Sequence, residues 1–247
     1  MKISPRYLIS SSAFVAMLGL APVARAAPSV SVGPGTGWTI FSDPNPTVQT
    51  AMNGCSIGAV GRDSANRLVA ITAGHCRYDH NAGKNRPAGT PIYRLGNPGA
   101  GPIGWFTDNS AFTPAGTGIV NPPSKTDLDY AVIQLNESVV VPLDRSEDNR
   151  VTTETVGDAG NFQNACKVGV STGLTCGLII GQGGTYYTSF ALAGPGDSGG
   201  ALVVGTKLVG IVAGLDLTRM SFQYYKITPI LNAINANGGV GAGFHLL

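Results

Sequence analysis

The chain has 247 residues, 43 % hydrophobic and 12 % charged, with a formal net charge of +2. That hydrophobic share supports a packed core and excludes charge-driven disorder, while 35 glycines and 16 prolines mark a chain full of turns. No lysine/arginine cluster occurs beyond the first 26 residues, so charge gives no support to a nucleic-acid or anionic-membrane partner.

Residues 1–26 read as a secretory signal. Lys2 and Arg6 precede an apolar run over 7–20, and Ala24-Arg25-Ala26 offers a small-x-small cleavage pattern ahead of Ala27. The run is shorter than the roughly 20 residues a spanning helix needs. Lys2, Arg6 and Arg25 leave with this leader and no acid does, so the remainder carries −1. Residues 27–50, with Gly33-Pro34-Gly35 and Asp43-Pro44-Asn45-Pro46, read as an extended arm with little regular structure. No folded pro-domain is expected in so short a leader.

Short β-branched and aromatic runs between turn residues then predict strands over 56–61, 67–72, 92–95, 103–106 and 130–135. Ala73-Gly74-His75-Cys76 should form one helical turn presenting His75. A charged connector over 142–157 precedes further strands over 165–170, 176–180, 185–192, 201–204, 208–214 and 222–227. One helix is expected over 229–237, with Pro229 in its first turn and Gly238 after its end. Many short strands argue for an all-β sandwich or barrel, and periodicity alone does not choose between them.

Four cysteines suit an oxidising compartment and lack zinc-site spacing. Of the three possible pairings the reading takes Cys55–Cys76 and Cys166–Cys176, each joining the ends of an apparent hairpin or strand pair.

The stretch that carries chemistry is Gly196-Asp197-Ser198-Gly199-Gly200. Its glycines let backbone N–H groups approach a reacting atom, and Ser198 would be the nucleophile with the N–H groups of Gly196 and Ser198 forming an oxyanion hole. A serine is inert without a base, and the base needs a carboxylate to orient it. The three histidines are His75, His80 and His245. His75 ends the run Ile71-Thr72-Ala73-Gly74, while His80 and His245 read as surface residues. The carboxylate candidates are Asp127 and Asp129, before Tyr130-Ala131-Val132-Ile133.

Together, Thr72-Ala73-Gly74-His75-Cys76, Asp129-Tyr130-Ala131-Val132-Ile133 and Gly196-Asp197-Ser198-Gly199-Gly200 resemble the trypsin/chymotrypsin-like serine peptidases. Lys167-Val168-Gly169-Val170-Ser171-Thr172-Gly173 before Thr175-Cys176-Gly177 is similar to the secreted bacterial branch, the streptogrisin and α-lytic protease type. The resemblance favours Asp129 over Asp127. It implies two six-stranded antiparallel β-barrels with a C-terminal helix, the first over 51–142 and the second over 143–247, with the active site in the cleft between them. It also implies a secreted endopeptidase using His75, Asp129 and Ser198, with no metal or cofactor, a peptide or protein substrate, and a monomeric state.

Further expectations follow from the same resemblance. Lys167 should pair with Asp197 in place of a buried N-terminal ammonium. Leu192 should lie at the base of the substrate pocket, where many relatives have a disulfide cysteine, and Val212, Ala213 and Gly214 should form one wall. An uncharged pocket implies cleavage after apolar residues. Two alternatives stand beside the peptidase: a secreted non-catalytic binding protein on the same fold, and an esterase using the same triad.

Overall fold

The computed structural model describes residues 29–41, 54–79, 81–112, 128–216 and 220–247. Residues 1–26, read above as a signal, lie outside the described residues together with His80 and Asp127. In chain order the strands are β1 (Val30–Val32), β2 (Gly37–Thr39), β3 (Cys55–Ser56), β4 (Ala59–Arg62), β5 (Leu68–Thr72), β6 (Tyr78–Asp79), β7 (Lys84–Asn85), β8 (Pro91–Arg94), β9 (Pro102–Ala111), β10 (Tyr130–Leu135) and β11 (Val140–Pro142). There follow β12 (Thr155–Val156), β13 (Asn164–Gly169), β14 (Gly173–Gln182), β15 (Tyr186–Ser189), β16 (Ala201–Val204), β17 (Lys207–Asp216), β18 (Ser221–Lys226), helix α1 (Ile227–Asn237) and β19 (His245–Leu246).

One sheet runs β19-β4-β5-β10-β9-β8-β2-β3. Only Ile57 and Gly58 separate β3, at one end of this sheet, from β4, next to the strand at its other end. The other runs β12-β17-β16-β13-β14-β15-β18, and pairing of β17 with β18 closes six of its strands into a ring. This is an all-β architecture of a closed six-stranded ring and a second barrel-like sheet, with one C-terminal helix.

Burial explains why these runs become strands. Leu68-Val69-Ala70-Ile71-Thr72 is buried throughout, as a central strand covered on both faces must be. One apolar cluster fills the first sheet around Trp38, Ile57, Ile92, Phe106 and Ile133. A second fills the closed ring around Ala165, Ile179, Tyr187, Leu202 and Tyr224. A third joins both sheets to the helix through Val69, Ile71, Tyr130, Ile211, Tyr225, Ile230 and Ile234. The seam between the halves is therefore packed core.

The N-terminal arm departs from expectation. Its described part is woven into the fold: β1 pairs in parallel with β11, and β2 sits between β8 and β3. Val32 is wholly buried, and Trp38, 1 % exposed, meets Phe106 edge-on at 5.4 Å and donates from Nε1 to Thr72 Oγ1 at 3.3 Å. A three-residue strand flanked by glycine and proline leaves no alternation to read, because distant partners decide its structure.

Helix α1 begins two residues earlier than expected, with Pro229 in its first turn. Carbonyls at and just beyond its C-terminus receive a donor from the first sheet. The buried Asn109 amide donates to the carbonyls of Ile234, Gly238 and Val240 at 3.1–3.2 Å. Asn109 Oδ1 in turn accepts from Tyr130 Oη at 3.1 Å. No helix among the described residues is long and apolar enough to cross a membrane.

Candidate active site

His75 sits in a single 3-10 turn, Gly74–Cys76, at the end of β5. Gly74 is required there, because a Cβ would lie 2.7 Å from Tyr130 O and closer still to Ala111 O. Asp129, 5 % exposed at the entry to β10, takes both N–H groups of this histidine. Its Oδ1 accepts the His75 backbone N–H at 2.7 Å and its Oδ2 lies 2.6 Å from Nδ1. Burial alone would lower the His75 pKa, but the charge of Asp129 and its hydrogen bond reverse that and raise it above the ordinary 6.5. The ring is a quarter exposed and has Phe112 beside it, at 5.9 Å between centroids.

The loop carrying Ser198 comes from the other half and presses against the same place. Ser198 O accepts from Ser56 N at 2.8 Å. At Gly199, whose φ is +83°, a Cβ would lie 2.6 Å from both Ala73 N and Ser56 O. The Ser198–Gly199 backbone therefore rests on the residues just ahead of His75. The structure pairs Cys55 with Cys76 and Cys166 with Cys176, and the first of these ties the neighbour of Ser56 to the neighbour of His75. With both sulfurs of Cys55 and Cys76 in a disulfide, the cluster they form with His75 offers no thiolate to a metal.

Within the loop the N–H groups divide into two sets. Those of Asp197, Gly199 and Gly200 donate to the carbonyls of Gly194, Val212 and Asp197 at 2.8–3.0 Å. Those of Gly196 and Ser198 donate to nothing among the described residues. Two N–H groups on the Ser198 loop are thus free for a ligand oxygen.

Beneath them Asp197 and Lys167 are both fully buried, with Nζ 2.9 Å from Oδ2. Burial would raise the Asp197 pKa, yet hydrogen bonds from Thr172 Oγ1 at 2.6 Å, Lys167, and Gly194 N at 3.0 Å hold it below the ordinary carboxylate value. Ser171 N and Thr172 N reach its Oδ1 at 2.8 and 3.1 Å. The β13–β14 turn is therefore clamped onto the serine loop through one carboxylate, an arrangement that sequence reading caught at Lys167 but missed at Ser171 and Thr172. The repeated small hydroxyls of that turn were the available signal.

The expected pocket residues are less uniform. Leu192 is 52 % exposed, so its side chain is no covered floor; its carbonyl accepts from Thr175 Oγ1 at 2.6 Å. Val212 is buried in a cluster with Ala191 and Tyr224, against which Ala193 and Phe222 pack. Tyr224 Oη donates to Ala191 O at 2.5 Å, and burial raises its pKa strongly. Ala213 and Gly214 lie partly exposed on β17. His245, in β19, is exposed at the far edge of the first sheet.

Against solved structures, the chain superposes on Nocardiopsis protease with a TM-score of 0.58 at 22 % identity, covering 83 % of this chain and 97 % of that one. The fold is chymotrypsin-like. The same chymotrypsin-like framework appears in Thermobifida fusca protease A (TM-score 0.54, 21 % identity, 82 % and 95 % covered). A Cellulomonas bogoriensis chymotrypsin gives a TM-score of 0.54 at 21 % identity, with 88 % and 98 % covered. No protein-family profile matches the chain, and no curated protein does.

Proposed function

We propose that this chain is a secreted serine endopeptidase. The observation that carries this reading is the pair of unengaged N–H groups at Gly196 and Ser198, set on a loop packed against an Asp129-oriented His75. Ser198 Oγ attacks the peptide carbonyl while His75 Nε2 takes its proton and later delivers it to the leaving amine. Asp129 fixes the tautomer with the proton on Nδ1 and stabilises the imidazolium. The two free N–H groups receive the developing oxyanion, each donor contributing about 3 kcal/mol to the transition state. Water then repeats the steps on the acyl-enzyme. Both disulfides and the signal-like residues 1–26 support an extracellular setting.

An apolar residue before the scissile bond is the preferred substrate. Ala191, Ala193, Val212, Phe222 and Tyr224 supply the covered surface beside the loop, and none can neutralise an ionic side chain. One structure of this fold, a glutamic acid specific serine protease, uses a histidine triad in substrate binding. This chain has three histidines in all, one of them beside Asp129 and another at the edge of the first sheet, so no such triad can form here.

Labelling with an organophosphonate probe tests the reading. Folded, disulfide-intact protein should label at Ser198 and the Ser198→Ala variant should not. No labelling of the folded protein would leave a binding protein on this fold, whereas labelling with turnover of esters alone would leave an esterase.

A further inference from the structure

We propose that Ser171, together with Ser56, is a positioning residue that sets the direction of the Gly196 N–H in the oxyanion hole. The inference rests on the peptidase reading above. Gly196 has φ +98° and no side chain to restrain the peptides around it. Rotation of the Pro195–Gly196 peptide would turn the N–H away and place a carbonyl where the oxyanion must sit. A trans peptide is planar, so its C=O and N–H point in opposite directions and fixing one fixes the other. All peptide bonds here are trans among the described residues.

The hydroxyl of Ser171 donates to Pro195 O, the only described donor to that carbonyl. On the other side of Gly196, Ser56 Oγ donates to Gly196 O at 2.9 Å and accepts from Val170 N at 2.9 Å. The two serines therefore hold consecutive peptides of the loop from opposite sides. Ser171 is itself anchored by its backbone N–H on Asp197 Oδ1. A side chain at position 196 would collide with the Ser171 hydroxyl, so the contact requires the glycine.

Ser171 is exposed, which separates positioning from folding. An exposed Ser→Ala change away from the core leaves stability nearly untouched, so a catalytic loss could not be assigned to unfolding. Wild type, Ser171→Ala and Ser171→Thr should be compared for kcat, KM, melting temperature, the acid limb of the pH profile, and inhibition by a peptide aldehyde, whose hemiacetal oxygen uses the same N–H groups. Ser171→Ala should lose about tenfold or more in kcat with KM held, and aldehyde affinity should fall by a similar factor. Melting temperature and pH midpoint should stay, and Ser171→Thr should restore turnover. A kcat within about twofold of wild type would overturn the inference, as would a loss accompanied by a lower melting temperature or a shifted pH midpoint. Wild type that neither labels nor turns over would overturn the peptidase reading and this inference with it.

Discussion

Asp129 grips His75 at two points, and the grip has a direction in pH. In the proposed mechanism the imidazole must be neutral to act as base, and its pKa is raised above 6.5. Turnover should therefore rise with pH through a midpoint above 6.5, which a kcat/KM profile on a neutral peptide measures. Asp129→Asn should lower kcat by about 10⁴-fold with the fold retained, the size known for the equivalent change in a serine-protease triad. The Lys167–Asp197 pair has a different weight. Removing one member of a buried pair leaves an uncompensated charge, so Lys167→Met should destabilise by about 3–5 kcal/mol in urea unfolding and lower turnover. Because the Asp197 pKa is depressed, its stabilisation is complete above the unfolded value near 3.8 and is lost as pH falls through the lower folded value. The histidine turn, Asp129 and the Gly-Asp-Ser loop stood out in the sequence because the proposed chemistry tolerates few residue types at each place. Ser171 and Ser56 were not, since a hydroxyl that holds a backbone carbonyl looks like any turn serine.

Elements that make their own hydrogen-bond pattern were readable and elements that borrow it were not. The hairpin β13–β14 places Cys166 opposite Cys176, and helix α1 announces itself by Pro229 and Gly238. In contrast β1, β2 and β19 are two or three residues long and exist only through strands far along the chain. The arm tests this. Trp38→Ala removes a buried indole and should cost about 3–5 kcal/mol in thermal or urea unfolding. A change within about 0.5 kcal/mol would mean that the arm is a dispensable extension. Asn109 is the corresponding device at the other end. Asn109→Ala removes the described side-chain donor to Gly238 O and Val240 O, just past α1, and one of two donors to Ile234 O, and should lower stability by about 3 kcal/mol, with little change in KM.

For the whole molecule, the pairing order has a consequence in time. The ring strands β13 to β18 lie in one unbroken run, residues 164–226, and can pair with one another as soon as that run is available. The other sheet takes β2 from near the start and β19 from the last residues, and its helix-capping Asn109 waits for residues 234–240. The half that holds His75 and Asp129 therefore needs the last residues of the chain to complete its pairing, whereas the ring beside Ser198 does not. In the proposed peptidase, cutting power is then a property of the finished molecule, set by the order of its strands.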